Sequence, residues 1–204
     1  MKFSDPDSLP PGLRQKITYR NLNAGERLYR TGDIAQNCFI VDLGKISLSR
    51  PTIENKIATL QLAKIGDIIG ETAIFEQLYT DSAIAINSSR VIVYPKSFFS
   101  EILPLYPELV SDLFKMLSDK IGYFKNNLEL REVRAAHQRV LQYLIYAADH
   151  DKSVKIDLPL HNIARQLGFA PATLSRALSR LETEGAITRE SNVIHLNCLT
   201  AASA

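Results

Sequence analysis

The spacing of apolar residues changes near residue 105, and this change constrains the fold more than any other feature of the chain. Before it, short alternating or β-branched runs are separated by glycines, six of which lie in the first 70 residues. After it, apolar residues recur every three or four positions. The first pattern is typical of an all-β barrel or sandwich and the second of amphipathic helices. The sequence therefore predicts an α+β chain with a β-rich N-terminal part and a helical C-terminal part.

Strands are predicted across about residues 15 to 95. The runs are CFIV (Cys38–Val41), KISLS (Lys45–Ser49), KIATLQL (Lys56–Leu62), SAIAI (Ser82–Ile86) and RVIVY (Arg90–Tyr94). Asp42-Leu43-Gly44 separates the first two runs, and this spacing predicts a β-hairpin.

A long helix is predicted from about Leu105 to Arg134. One apolar stripe steps along it by three and four residues: Phe114, Leu117, Ile121, Phe124 and Leu128. A neighbouring stripe contains Leu109, Leu113 and Met116. About 30 helical residues reach ~45 Å, which is longer than a small barrel can cover. The pattern therefore favours a helix that packs on its own barrel with one stripe and on a second copy with the other. The alternative is a helix buried wholly within one subunit.

Residues 160–181 predict two helices that are joined by a tight turn. Gly168 is suited to end the first helix and Pro171 to begin the second. The expected buried residues are Ile163, Ala164 and Leu167 on the first helix, and Leu174, Ala177, Leu178 and Leu181 on the second. The small side chain of Ala164 allows the helices to cross closely. This is the pattern of a helix-turn-helix, in which the second helix enters the DNA major groove.

The opposite face of the second helix is polar and carries arginine. Its candidate DNA-binding residues are Ala172, Thr173, Ser175, Arg176 and Arg180. Arginine can bind guanine O6 and N7 together, while serine and threonine suit phosphates or base edges. Glu182 and Glu184 come only at the far end of the helix. The segment AITRESNVIHLN (186–197) predicts a short β-hairpin after the second helix, here called the wing. We expect Arg189 of the wing and Arg165 of the first helix to contact phosphates.

With these segments in place, the chain resembles the cyclic-AMP receptor protein/FNR family of bacterial transcription regulators over about residues 15 to 200. The resemblance rests on RTGDIAQNCFIVDLGKISLSR, GDIIGETAIFEQLYTDSAIA and LGFAPATLSRALSRLETEGAI. It implies a cyclic-nucleotide-binding-like jelly-roll sensor domain (1–104), a long dimerisation helix and hinge (105–136), and a C-terminal winged helix-turn-helix (137–204). The implied protein is a cytoplasmic homodimer on palindromic double-stranded DNA, with RNA polymerase as a further candidate partner.

Two positions depart from the family pattern. The implied effector pocket contains Gly70, Glu71, Asp81 and Ser82, and Asp81 stands where nucleotide-binding members have an arginine that neutralises the cyclic phosphate. A carboxylate there repels the anion, so we expect no cyclic-nucleotide binding, and either another effector or none. A regulator that responds to a cyclic nucleotide despite Asp81 is the alternative. On the reading helix, Ala172 replaces a base-reading glutamate, which alters the expected half-site.

Composition bears on the rival functions. Residues 1–136 contain no histidine. This disfavours a cupin-type metalloenzyme and a haem sensor, because both use histidine to bind their metal. We therefore expect no enzyme activity, no metal and no cofactor. Cys38 is interpreted as an apolar strand residue, with a redox thiol as the alternative. Arg90 and the 45–64 region are a candidate anion site. A protein-interaction module remains a third alternative to DNA binding. No apolar run approaches ~18 residues, so no membrane span is expected.

Overall fold

The computed structural model describes residues 1–54, 56–156 and 159–197. The chain divides into two compact units, Met1–Ile121 and Gly122–Ala204, and the division falls inside one long helix. The division into three parts at residues 104 and 136 stays a prediction. Among the described residues, no helix is both long and apolar enough to cross a membrane.

Unit 1 is built on two antiparallel sheets, each with four strands within the described residues. The strands are β1 (Thr18–Leu22), β2 (Arg27–Tyr29), β3 (Asn37–Leu43), β4 (Ile46–Pro51), β5 (Ile57–Ala63), β6 (Ile68–Ile69), β7 (Ser82–Ala85) and β8 (Ser89–Pro95). One sheet has the order β1-β8-β3-β6 and the other β2-β7-β4-β5. The result is the jelly-roll-like domain that the sequence predicts, and β1, β2 and β6 are additional to the predicted strands.

The predicted hairpin around Asp42-Leu43-Gly44 is wrong. β3 pairs with β8 and β6, whereas β4 pairs with β5 and β7, so the short connection carries the chain from one sheet to the other. Gly44 makes this change of direction with a positive φ of 80°. Two strand-like runs beside a glycine predict the strands, but they leave open which strands become neighbours. In this sandwich the partners come from residues 57–95, and those that lie between each strand and the rest of its sheet, β8 and β7, are about 40 positions away.

The strand β3 is apolar on both faces because both faces are covered. Phe39 faces the aromatic rings of Tyr29 and Tyr79. Its neighbour Cys38 lies opposite Tyr94 of β8, whose ring packs against Phe3. The Tyr94 hydroxyl donates to the backbone carbonyl of Phe3 over 2.7 Å. The N-terminal segment therefore covers one face of the sheet, and a continuous apolar run is what a strand covered on both sides requires.

The α-helices of unit 1 within the described residues are α1 (Pro11–Arg14), α2 (Lys96–Ile102) and α3 (Pro107–Glu132), the last of which continues into unit 2. Leu109 and Leu113 are buried in the core of unit 1, as the second predicted stripe requires. The other stripe is largely exposed: Phe114, Ile121 and Leu128 each expose more than half of their surface, and Phe124 exposes 37 %. Leu117 differs, because it is partly buried against the same core.

Unit 2 contains α4 (Ala136–Ala147), β9 (Ser153–Lys155), α5 (Leu160–Gln166), α6 (Pro171–Thr183), β10 (Ile187–Glu190) and β11 (Val193–Leu196). The wing predicted after α6 is present, since β10 and β11 pair antiparallel from Ile187↔Leu196 to Glu190↔Val193. β9 adds a third strand to this sheet within the described residues, beside β11. It holds one buried apolar residue, Val154, which is too little pattern to predict a strand.

Candidate functional site

The turn between α5 and α6 has the geometry that its sequence predicts. Gly168 adopts a positive φ of 72° two residues after the end of α5. The backbone N–H of Phe169 then returns to the carbonyl of Ala164 over 2.8 Å, which satisfies a carbonyl at the end of the helix. Ala164 is completely buried, and Pro171 occupies the first turn of α6. The two helices are thereby held in a fixed geometry by local contacts.

One face of α6 is locked into the core of unit 2. Its buried residues are Leu174, Ala177, Leu178 and Leu181, which share a hydrophobic cluster with Ile163, Leu167 and Ile187. Removing one such leucine from water stabilises a fold by about 1.5–3 kcal/mol. The helix therefore cannot rotate about its axis without exposing these side chains, and its polar face is presented in one orientation.

The polar face of α6 is accessible over its N-terminal half. Ala172, Ser175, Arg176 and Arg180 are exposed and Thr173 is half-buried, while Arg165 is exposed on α5. The guanidinium of Arg176 donates from Nε to the carbonyl of Ala172 over 3.3 Å. Arg176 thus lies back along the helix, toward the end that a major groove would receive. Its cationic group remains available to an external partner because this contact uses a single N–H.

The two glutamates come at the far end of α6, as the sequence indicates, and each forms an ion pair with a candidate DNA-binding arginine. Arg180 donates to Glu184 over 2.7 Å, and Arg189 of the wing forms an ion pair with Glu182. These contacts hold the pKa of both carboxyls below the usual range. Both pairs are exposed, and exposed pairs are weak and screened by salt. A phosphate can therefore compete with the carboxylate for either arginine.

The predicted effector residues lie in unit 1, where Glu71 already has a cationic partner. Lys120 of α3 donates to the Glu71 carboxylate over 2.7 Å and to the carbonyl of Ile68 over 3.1 Å. The Lys120 side chain is only 9 % exposed. The sequence carried a signal for it: Lys120 follows Met116 by four residues and Leu113 by seven, which places a lysine on the buried stripe of α3.

Asp81 and Ser82 are likewise bound to protein groups. The Tyr29 hydroxyl donates to Asp81 over 3.0 Å, and the Tyr29 ring stacks on Tyr79 with centroids 3.9 Å apart. Ser82 Oγ accepts from the backbone N–H of Thr31 over 2.9 Å. Burial raises the pKa of Asp81, the Tyr29 hydrogen bond partly opposes this, and the nearby charge of Glu71 adds to it. Both carboxylates of the predicted pocket therefore have partners within the protein.

A separate groove of about 470 Å³ opens on the β1 side of unit 1. It is lined by aromatic side chains and by polar groups, among them Tyr19, Arg20, Asp33 and Tyr79. Gly70, Glu71, Asp81 and Ser82 all lie in the described part of the chain, and none of them lines this groove. The predicted pocket and this groove are nevertheless neighbours, because Tyr29, which binds Asp81, also lines the groove.

Cys38 is a buried residue whose thiol stays protonated. Its Sγ donates to the carbonyl of Gly70 over 3.3 Å, and burial raises the pKa of the thiol to about 12. Because the thiolate is the reactive form, this environment favours the apolar-residue interpretation over the redox one. Cys198 lies outside the described residues. Within the described ranges, no group of three or more His, Cys, Asp or Glu side chains is placed to hold a metal ion.

The candidate anion site around Arg90 is also engaged internally. Arg90 forms an ion pair with Asp42 and lies 5.3 Å above the ring centroid of Tyr19. The guanidinium is therefore shared between a carboxylate and an aromatic face, which reduces its capacity to hold a separate anion.

The Asp81→Asn variant should be more stable than the parent at neutral pH. Because the pKa of Asp81 is raised by burial, the charged form that dominates at pH 7 is disfavoured in the folded state. The gain should shrink as the pH falls through the raised pKa and should vanish below the usual aspartate value of about 3.9. Denaturant unfolding at pH 7 and pH 3.5 measures this difference.

Glu76→Gln is the matched control, because Glu76 is exposed in the same segment. It should change stability little at either pH. A loss of stability in Asp81→Asn at pH 7 would contradict the expected cost of burying this charge.

Comparison with known proteins gives two family matches. Residues 19–105 match the cyclic nucleotide-binding domain, and residues 138–199 match the Crp-like helix-turn-helix domain. The first range contains most of the β-sandwich of unit 1. The second contains nearly all of α4, together with α5, α6 and the wing.

Similar proteins cover most of the chain. The transcriptional activator protein FnrA of Stutzerimonas stutzeri is 25 % identical over 96 % of this chain and 82 % of its own length. The cyclic AMP receptor protein of Thermus thermophilus is 23 % identical over 80 % of this chain and 76 % of its own. The solved structure of FixK2 from Bradyrhizobium japonicum covers 92 % of this chain and 99 % of its own, with a TM-score of 0.76 at 20 % identity. This last likeness shows a shared fold.

Proposed function

Because this chain belongs to the cyclic-AMP receptor protein/FNR family of transcription regulators, we propose that it is a homodimer that binds a palindromic DNA operator with α6. Members of the family bind DNA and work as dimers. One observation carries the proposal: four apolar side chains of α6 are buried in the core of unit 2, while Arg176 and its polar neighbours are exposed on the opposite face. The protein acts as a cytoplasmic regulator and not as an enzyme.

The exposed stripe of α3 supports the homodimer. Phe114, Ile121 and Leu128 each expose more than half of their surface, although large apolar side chains at this spacing are normally covered. A second copy of the same stripe offers matching three- and four-residue steps, as in a coiled coil. Phe124 and the outer edge of Leu117 extend the same contact.

Each DNA-facing residue has a proposed role. Arg176 reads a guanine, and Ala172 contacts a thymine methyl group. Thr173, Ser175 and Arg180 hold phosphates or neighbouring bases. The remaining phosphate contacts come from Arg165 and Arg189. In the dimer the two α6 helices enter successive major grooves about 34 Å apart.

Selection of binding sites from random double-stranded DNA with the purified full chain tests this proposal. We expect palindromic sites with half-sites about one helical turn apart, and an affinity that falls steeply with salt because phosphate contacts release counterions. The absence of enriched sites, together with salt-independent binding, would support the protein-interaction alternative instead. RNA polymerase remains a proposed further partner.

We expect neither cyclic AMP nor cyclic GMP to bind at micromolar concentration. Asp81 supplies a negative charge where the cyclic phosphate needs a positive one, and Glu71 is already paired with Lys120. Isothermal titration of the full chain with each nucleotide should show no saturable heat. Saturable micromolar heat would overturn this expectation and favour the cyclic-nucleotide-responsive alternative over a different effector or none.

A further inference from the structure

Arg139 joins the end of the long helix to the turn of the helix-turn-helix. It lies in the first turns of α4 and is half-buried. Its Nε donates to the carbonyl of Val133 over 2.9 Å, and its Nη2 to the carbonyl of Arg131 over 3.4 Å. Its Nη1 donates to the carbonyl of Leu167 over 3.2 Å. One side chain therefore holds two segments that are more than 30 residues apart in sequence.

The chemistry of these contacts suits a guanidinium group. Arg131 and Val133 lie at the C-terminus of α3, and Leu167 follows the last residue of α5. Carbonyls at helix C-termini lack partners within the helix and carry negative partial charge. The guanidinium supplies several N–H donors in one plane together with a full positive charge. Arg139 is thus complementary to both helix ends at once.

The same guanidinium also contacts the turn itself. Its central carbon lies 4.9 Å from the ring centroid of Phe169, within the range of a cation–π contact. Phe169 is followed directly by Ala170 and by Pro171, the first residue of α6. The path from the end of α3 to the start of α6 therefore passes through one side chain, and all of these residues belong to unit 2.

We propose that Arg139 is a positioning residue that fixes the orientation of α6 relative to the end of α3, and so sets the half-site spacing that the dimer accepts. This rests on the proposed function, since spacing has meaning only for a dimer on DNA. Arg139 does not contact the DNA. A lysine at this position keeps the charge, but it has no planar fork to bind three carbonyls and to stack on Phe169.

The first test compares operators that share the selected half-site and differ by one base pair in the distance between half-sites. Each base pair adds about 3.4 Å and rotates the second half-site. We expect the parent to prefer one distance. Arg139→Lys should reduce that preference about tenfold, a change of about 1.4 kcal/mol, while base preference within each half-site is unchanged. Arg134 is an exposed arginine of the same hinge. As the control, Arg134→Lys should show the same preference for half-site distance as the parent.

The second test needs no DNA. Amide hydrogen exchange of the full chain should speed up in Arg139→Lys at Val133 and Phe169, whose N–H groups bond to Leu130 and Ala164. The amide of Leu178, inside α6, should change less. Equal acceleration at all three amides would show a general contribution to stability and would overturn the proposal, as would an unchanged spacing preference. If the parent protein binds no DNA, the proposed function fails, and the role of Arg139 in half-site spacing fails with it. The exchange rates then still show whether Arg139 stabilises the turn between α5 and α6.

Discussion

Gly44→Ala is expected to destabilise unit 1 more than any other single substitution considered for this protein. Gly44 has a φ of 80°, and a Cβ atom there would lie 2.5 Å from the carbonyl oxygen of Ser88 and 2.8 Å from the Cα of Ser89. The left-handed conformation costs an alanine about 1–2 kcal/mol. Displacing backbone atoms to relieve the overlap adds about 1–3 kcal/mol. The loss in free energy of unfolding is measured by denaturant unfolding, with far-ultraviolet circular dichroism as the signal. The sequence contains no tryptophan that could serve as a fluorescence signal instead.

Two other glycines separate the causes of this loss. Gly66 has a φ of 89° and open space where a Cβ atom would lie, so Gly66→Ala carries only the conformational cost. Gly12 has open space and no positive φ, and Gly12→Ala should be nearly neutral. We expect the loss of stability to rise from Gly12 to Gly66 to Gly44. Equal losses at Gly44 and Gly66 would show that the close approach to residues 88–89 is not a constraint.

Arg176→Ala should weaken binding to the selected operator by about 1–3 kcal/mol and relax its preference at one base pair. The reason is that Arg176 is exposed on the N-terminal half of α6, where a guanidinium can donate to guanine O6 and N7 together. Fluorescence anisotropy with the operator, and with each substitution at that base pair, measures both effects. Binding as tight and as selective as the parent's would remove Arg176 from the interface.

Arg180 and Arg30 provide the comparison. Arg180→Ala should weaken binding uniformly across sequences and lower the salt slope by about 1, if its partner is a phosphate. Arg30→Ala removes the same charge from an exposed position of unit 1, and it should leave operator binding unchanged. A loss of base preference in Arg180→Ala, with none in Arg176→Ala, would exchange the proposed roles.

The features that sequence reasoning predicted correctly are those that neighbouring residues decide. Gly168, Pro171 and the apolar steps of α5 and α6 act within about ten residues of one another, and backbone hydrogen bonds inside the turn complete the motif. The two stripes of α3 follow from the helical repeat alone, because side chains three and four residues apart share a face. The stripes of α3 already indicated a dimer and the helix-turn-helix pattern already indicated DNA binding; the family resemblance added the palindromic operator as an expectation.

The errors concern contacts between distant residues. Nothing near Gly44 indicates that β3 and β4 belong to different sheets, because each strand's partners come from residues 57–95. The pair Arg189–Glu182 forms only once α6 and the wing are placed side by side. The Asp81–Tyr29 contact joins residues 52 positions apart.

The amino-acid sequence by itself determined the kinds of element, their order, and the polar face that α6 turns outward, since backbone geometry and hydrophobic spacing act locally. Only the tertiary structure decided that Lys120 forms an ion pair with Glu71, that Tyr29 donates a hydrogen bond to Asp81, and that Arg139 joins two helix ends. Each of these contacts satisfies a charge or a polar group that folding removes from water. Which partner is within reach depends on how the layers pack, and a single sequence carries no distances between them.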